Sequence, residues 1–287
     1  VPRVLIATCA ALPEGDDDHH LLHAALSARG IDVALGVWSD PHVEWDDADL
    51  VVIRSPWDYT EALDDFLIWV SSLARVCNPA HVIRWNSDKQ YLDDFAQRAV
   101  ATIPTSYARH PDELLIPDAA SFVVKPTVGA GSRGAARFAH DDEVAAQEHV
   151  ASLVAAGKTA MVQPYLDDVD RNGETALIFL DGVFSHAIEK QAMLASDALD
   201  PSGLFRAEKI RPRHPSRVEH DVALKAMHEA EKILSLEQPL LYARVDLIGS
   251  SDGPRLIEFE ATEPSLFLGY HAEAATRLGD AITRRID

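Results

Sequence analysis

The sequence predicts an α/β chain whose first unit carries a mostly parallel sheet and whose later units are mixed α+β, the last built on an antiparallel sheet. Three observations predict this. Short apolar runs alternate with stretches of helical spacing near the N-terminus, as buried parallel strands and crossover helices do. A lysine-bearing apolar strand at 122–126 runs into a loop with three glycines, Gly129, Gly131 and Gly134. Two β-rich runs at 174–180 and 183–190 flank Asp181-Gly182, a strong short hairpin signal.

In chain order, residues 3–8 form a compact apolar run that suits a buried strand. A polar loop at 13–20 follows, then helical spacing at 21–29 that stops at Gly30. Residues 31–38 and 50–54 read as two further strands, and 60–75 as a helix. Ser87 and Gln90 have the spacing of a capping box, which predicts a helix over 88–98. The middle of the chain reads as strand, glycine hairpin, strand, a helix at 142–156 ended by Gly157, and a strand at 160–166. Beyond the Asp-Gly hairpin, 191–215 lacks periodicity and is long enough to be a lid. A helix over 217–236 and strands at 240–248 and 255–261 close the pattern. With roughly 100–200 residues per domain as a prior, three units are expected, at 1–86, 87–166 and 167–287.

The formal net charge of -20 excludes an extended nucleic-acid surface, because neutralising phosphates needs clustered lysine and arginine. A small anionic ligand is still allowed, since Lys89, Lys125, Arg133, Lys190, Lys209, Arg213 and Arg244 lie in or beside the chemically richest stretches. No apolar run reaches membrane-spanning length, and the apolar stretch at 4–12 lacks the basic flank of a secretory leader. Two cysteines, Cys9 and Cys77, form neither a disulfide framework nor a metal-type cluster, and a reduced cytoplasmic setting is expected. The acid and histidine run at 16–20 reads as a solvated or substrate-facing loop rather than a metal site.

Two stretches carry chemistry. The glycine loop has the spacing of a dinucleotide fingerprint, but the residues after Gly134 are too few for the helix which that motif requires. It reads instead as strand, glycine turn, strand, a flexible hairpin able to close over phosphates with Lys125 fixed on the strand before it. Taken by itself it reads equally well as an ordinary glycine-rich hairpin. In the second stretch, Arg244 and Asp246 are two apart on one strand, and Glu258 and Glu260 two apart on the next. Each pair shares a face, so pairing the strands brings three carboxylates and a guanidinium together. Oxygen donors of this kind suit magnesium, although a half-exposed hairpin with acids on its wet side shows the same alternation.

Together the two stretches resemble the ATP-grasp superfamily of carboxylate-amine ligases. The resemblance implies an ATP-grasp fold with an N-terminal α/β domain before the grasp, a small central lid domain and a C-terminal antiparallel-sheet domain. It implies ATP and Mg2+ as cofactors, two magnesium ions with Mn2+ as a substitute. Lys89 and Lys125 look like the two phosphate-contacting lysines, and Gly129, Gly131, Ser132 and Gly134 belong to the small lid. Gln163, Tyr165 and Leu166 resemble the hinge that meets adenine. Glu174 opens the last domain, and 190–212 resembles its large lid, beginning with Lys190 at the nucleotide. Asp246, Glu258 and Glu260 fall at the metal ligands, with Arg244 and Lys125 in catalytic positions. Glu260 departs from the usual pattern, in which that ligand is asparagine.

The stretch Glu260-Ala-Thr-Glu-Pro-Ser-Leu-Phe267 is similar to a bacterial group related to prokaryotic glutathione synthetases. Within it the chain resembles the cyclo-ligases that form D-cycloserine from O-ureido-D-serine, which implies a small amino-acid-like substrate and allows a homodimer. Arg54, Trp57 and Asp58, in a loop at a strand's carboxyl end, are the expected substrate residues. Two other readings stand beside this one: a ligase joining two amino acids, and a catalytically silent nucleotide-binding regulator.

Overall fold

A computed structural model describes residues 1–191 and 209–286. Most of the expected large lid therefore lies outside the described residues. The N-terminal segment runs β1 (Arg3–Thr8), α1 (His19–Ser27), β2 (Asp32–Val37), β3 (Leu50–Ser55), α2 (Leu63–Ser72), β4 (Val76–Cys77), α3 (Ala80–Asn86) and α4 (Tyr91–Gln97). Its sheet is parallel throughout, in the order β2-β1-β3-β4. β1 and β3 are buried along nearly their whole length, which is why they read as continuous apolar runs. The helix expected over 60–75 is a 3₁₀ turn at Tyr59–Glu61 followed by α2.

The predicted capping box does not form. α3, which has no clear signal in the sequence, occupies the preceding residues, and Ser87 sits at its C-terminal end with its hydroxyl donating to the Ile83 carbonyl at 2.7 Å. Gln90 turns to Asp88 instead, and α4 starts only at Tyr91.

The middle segment contains β5 (Ser106–Ala108), β6 (Ser121–Pro126), β7 (Ala136–Ala139), α5 (Glu143–Ala155) and β8 (Ala160–Pro164), with the antiparallel order β5-β8-β6-β7. Ala146, Val150 and Leu153 of α5 seal one face of that sheet against Phe122, Val124 and Val162. After α6 (Asp168–Asn172) come β9 (Glu174–Leu180), β10 (Val183–Lys190), β11 (Ile210–Arg213), α7 (Arg217–Ile233), β12 (Tyr242–Ile248), β13 (Arg255–Glu260) and α8 (Ala274–Ile286). The third sheet is antiparallel in the order β11-β10-β9-β12-β13. Asp181 and Gly182 both take positive φ, +51° and +74°, the backbone that a tight hairpin with an Asp-Gly turn demands. A true capping box starts α7, where Ser216 accepts from the Glu219 amide and the Glu219 carboxylate accepts from the Ser216 amide.

Two apolar layers orient the pieces. Ala223, Ala226, Met227 and Ala230 of α7 pack on the inner face of β9, β12 and β13. On the opposite face, Leu278 and Ile282 of α8 join Leu22 and Leu26 of α1 and Ile178 of β9 in one buried cluster. The N-terminal sheet and the C-terminal sheet are thus fastened through α1 and α8, and the loops after β1 and β3 face the acidic strands.

Candidate active site

β12 and β13 pair antiparallel with Arg244 opposite Glu260 and Asp246 opposite Glu258. This register puts the four side chains on one face. Oxygens of Asp246, Glu258 and Glu260 lie within 4.8 Å of one another. Four cations crowd the same space. Arg244 grips Asp246 from Nε at 2.9 Å and from Nη2 at 3.0 Å, and reaches Glu260 at 2.5 Å. Lys190, at the end of β10, lies 2.6 Å from Asp246 and 2.9 Å from Glu174. Lys89 bridges Glu258, at 3.0 Å, and the Gly129 carbonyl, at 2.6 Å, so it ties the acidic strands to the glycine loop. Lys125 projects from β6 into the same cavity.

The charges set the proton affinities. Burial penalises the Asp246 carboxylate, but Arg244 and Lys190 outweigh it and hold its pKa below the ordinary range. Glu258 is held down likewise by Lys89 and Lys125 against the effect of burial. Glu260 goes the other way: burial, with Glu258 and Asp246 alongside, pushes it up to about 8 in spite of Arg244. Burial lowers Lys125, with Lys89 and Lys190 adding to the effect, while Glu258 raises Lys89 against its own burial. Three carboxylates whose oxygens converge are the all-oxygen donor set that a hard divalent cation fits.

The glycine loop bends by left-handed residues at Gly131 (φ +60°), Ser132 (φ +58°) and Gly134 (φ +72°). Glycines make that run of positive φ inexpensive. Gly173 is required for a different reason: a Cβ there would collide with the Lys190 carbonyl, so only glycine lets the chain enter β9 beside the end of β10. Arg133 fastens the loop to the N-terminal segment, donating from Nη2 to the Trp57 carbonyl at 3.1 Å and to Thr60 Oγ1 at 2.7 Å.

A cavity of about 870 Å³ lies under this loop. Of the expected residues, Lys89, Lys125, Gly129, Gly131, Ser132, Lys190, Arg244, Glu258, Glu260 and Trp57 line it. A smaller cavity of about 90 Å³ adjoins it, with Lys125, Ser132 and Glu258 in both walls. Its lining includes Ile103, Val123, Ile248 and Ile257 together with Gln163, Tyr165, Leu166 and Glu174. A slot with apolar walls and a few polar groups suits a flat heterocycle, with its anionic tail directed to the lysines. Gln163 donates to Thr105 Oγ1 at 2.9 Å, and the Tyr165 ring lies under Arg137.

Arg54 and Asp58 stand apart from both cavity walls. Arg54 is buried behind the polar loop, 3.0 Å from Asp16 and 3.9 Å from Asp18, because β3 carries it into the space beneath that loop. Asp58 accepts from Trp38 Nε1 at 2.6 Å. Sequence reasoning missed Asn86, whose side chain accepts from the amides of Ala261 and Thr262 and donates to the Phe259 carbonyl. Tyr91 adds its hydroxyl as acceptor for the Phe259 amide. These two residues fix the strand that bears Glu258 and Glu260. No local signal announces them.

Against known proteins, a family model described as the N-terminal domain of D-cycloserine synthetase DcsG matches residues 4–78. Over 298 aligned residues the chain is 36% identical to the cycloserine biosynthesis protein DcsG of Streptomyces lavendulae, and the alignment covers 98% of each. The chain belongs to the D-cycloserine synthetase family of ATP-grasp ligases. The crystal structure of D-cycloserine synthetase DcsG superimposes with a TM-score of 0.90 at 35% identity, covering 99% of this chain and all of that one. D-alanine–D-alanine ligase from Bacillus anthracis, solved with ATP, shares the fold at a TM-score of 0.66 and 13% identity, covering 100% of this chain and 97% of that one. ATP-grasp ligases use ATP and Mg2+, and this member of the D-cycloserine synthetase family is a ligase of that kind. Among the described residues, no helix is long and apolar enough to cross a membrane.

Proposed function

We propose that the chain is an ATP-dependent cyclo-ligase that closes O-ureido-D-serine to D-cycloserine in antibiotic biosynthesis, with release of ADP, phosphate, carbon dioxide and ammonia. The observation that carries this reading is the 36% identity with DcsG over 98% of both chains, which takes in the N-terminal loops beside the cavity as well as the acidic strands.

In this reading the substrate carboxylate attacks the γ-phosphoryl group of ATP and becomes an acyl phosphate. Lys89, Lys125 and the glycine loop hold the phosphates, and the slot between Gln163 and Ile257 takes the base. Magnesium at Asp246, Glu258 and Glu260 supplies charge neutralisation at the transferred phosphoryl group. The ureido nitrogen bonded to oxygen then attacks the acyl carbon of the same molecule, and Arg244 stabilises the oxyanion that develops there. Water removes the carbamoyl group. Trp57 contacts the amino-acid part. The reading takes two magnesium ions, replaceable by manganese, a homodimer acting in the cytoplasm, and a division of labour among residues 1–86, 87–166 and 167–287.

The test is turnover with ATP, Mg2+ and O-ureido-D-serine, read as ADP release and product mass. A product with the mass of D-cycloserine, formed one for one with ADP, is expected. A condensed dimer from an amino-acid substrate moves the chain to the intermolecular ligases. No ADP release with any carboxylate of an amino-acid panel overturns ligase chemistry altogether and favours a silent nucleotide-binding regulator.

A further inference from the structure

Ring closure needs a group to remove the proton from the attacking nitrogen. Among the described acidic and histidine residues lining the large cavity, most have other work. Glu258 and Glu260 belong to the acidic cluster, bound to Lys89 and Arg244. Asp16 is paired with Arg54 at 3.0 Å, and Asp18 accepts from the amides of Leu266 and Leu268 at 3.0 and 2.7 Å. Asp17 and His20 are exposed to solvent. Glu263 is different. It is half-buried in the wall beside Arg244 and Lys89, with buried Tyr59 in the same wall. Its backbone is fixed, because its carbonyl accepts from Trp57 Nε1 at 3.0 Å.

We infer that Glu263, fixed in the cavity wall by Trp57 and flanked there by Tyr59, is the general base of the ring-closing step. This rests on the cyclo-ligase reading above. As the nitrogen lone pair forms the bond to the acyl carbon, the N–H proton passes to the Glu263 carboxylate. The bond from the acyl carbon to the phosphate oxygen breaks, and phosphate departs with that electron pair. Glu263 then returns its proton to solvent. The charged and titratable groups around it are Tyr59, Lys89, Glu258 and Arg244. Burial, with Glu258 adding to it, pushes the Glu263 carboxyl up to about 7 against the pull of Tyr59 and Lys89, a proton affinity matched to base catalysis near neutral pH. Tyr59 itself is raised well above its ordinary range, first by burial and then by Glu263, so it remains a donor.

The experiment separates the two chemical steps in the full chain with ATP, Mg2+ and O-ureido-D-serine. Hydroxylamine, a neutral nucleophile in excess, intercepts the acyl phosphate as a hydroxamate without ring closure. In Glu263→Gln, hydroxamate formation stays within about threefold of wild type while D-cycloserine formation falls by about 100-fold or more, the usual range for loss of a general base. Tyr59→Phe leaves the carboxylate in place but removes the hydroxyl from the wall beside it; a fall of several-fold in cyclisation alone is expected there, and it supplies the reading if Glu263→Gln does not fold. Equal loss of hydroxamate and D-cycloserine overturns the inference, because Glu263 then serves binding or phosphoryl transfer. Undiminished cyclisation in both variants overturns it too. If wild-type protein itself releases no ADP with O-ureido-D-serine, the cyclo-ligase reading fails first and takes this inference with it.

Discussion

Arg244 and Glu260 stand opposite each other in the ladder between β12 and β13, the guanidinium 2.5 Å from the carboxylate, while the same guanidinium grips Asp246. One cation thus spans two of the three acids proposed to hold magnesium. At this last position the chain carries a third carboxyl, Glu260, whose pKa burial and the neighbouring acids push up to about 8.

The three acids are therefore expected to differ in what they tolerate. Asp246→Asn and Glu258→Gln should lower ADP release by at least about 100-fold, since each removes charge at the transferred phosphoryl group. Glu260→Asn should keep turnover within about tenfold of wild type and raise the Mg2+ concentration for half-maximal rate. ADP release titrated with Mg2+ reads both, and wild-type turnover in Asp246→Asn and Glu258→Gln would reject the metal assignment.

Arg133 connects the glycine loop to Trp57 and Thr60. Arg133→Ala should weaken that closure, raising the KM for ATP and for the amino-acid substrate together. A change in the ATP term alone, in a two-substrate kinetic matrix, would contradict the coupling.

Asn86 satisfies two amides and a carbonyl of the β13 end from a buried position. Its replacement by Ala leaves those groups without partners, which at roughly 1–3 kcal/mol for a buried unsatisfied group predicts a loss of about 3 kcal/mol. Urea unfolding measures it; an unchanged midpoint would show that water replaces the amide without cost.

His186 gives a pH dependence of stability. It is buried, its Nε2–H directed at the carbonyls of Leu266 and Phe267 and its Nδ1 beside the Ser185 hydroxyl, so the neutral ring is fully satisfied. Burial, with His271 stacked alongside, pushes its pKa down to about 4. The unfolded chain, with a histidine pKa of about 6.5, binds more protons between these two values, so stability is complete above about pH 6.5 and lost as pH falls toward about 4. The loss from this group is about 3 kcal/mol at most. Urea midpoints at pH 5 and pH 7.5 for wild type and His186→Gln should show a smaller pH difference in the variant.

What the sequence conveyed followed from short periods. Asp246, Glu258 and Glu260 could be put on one face because side chains alternate along a strand, and the Asp-Gly turn located β9 and β10 to the residue. The failures came from competition with neighbouring or distant segments. Ser87 and Gln90 have the right spacing for a cap, but α3 takes the residues before them, and a spacing cannot report that competition. Arg54 lies at the end of a strand facing the crevice, as expected of a ligand residue, yet Asp16 from the preceding loop captures it. Asn86, Tyr59 and Glu263 matter through partners far along the chain, beyond the reach of any local pattern.

β13 is the last strand of its sheet, and the outermost strand of a sheet usually presents a row of peptide groups that another chain can pair with. Here the outward-facing amides are taken: Leu256 donates to Ala101, Phe259 to the Tyr91 hydroxyl and Ala261 to Asn86, while the Leu256 carbonyl receives Ile103. The strand that carries the acids is thus sealed against templated growth by its own upstream chain. A second copy therefore cannot add a strand at this edge, and β13 stays unshared there.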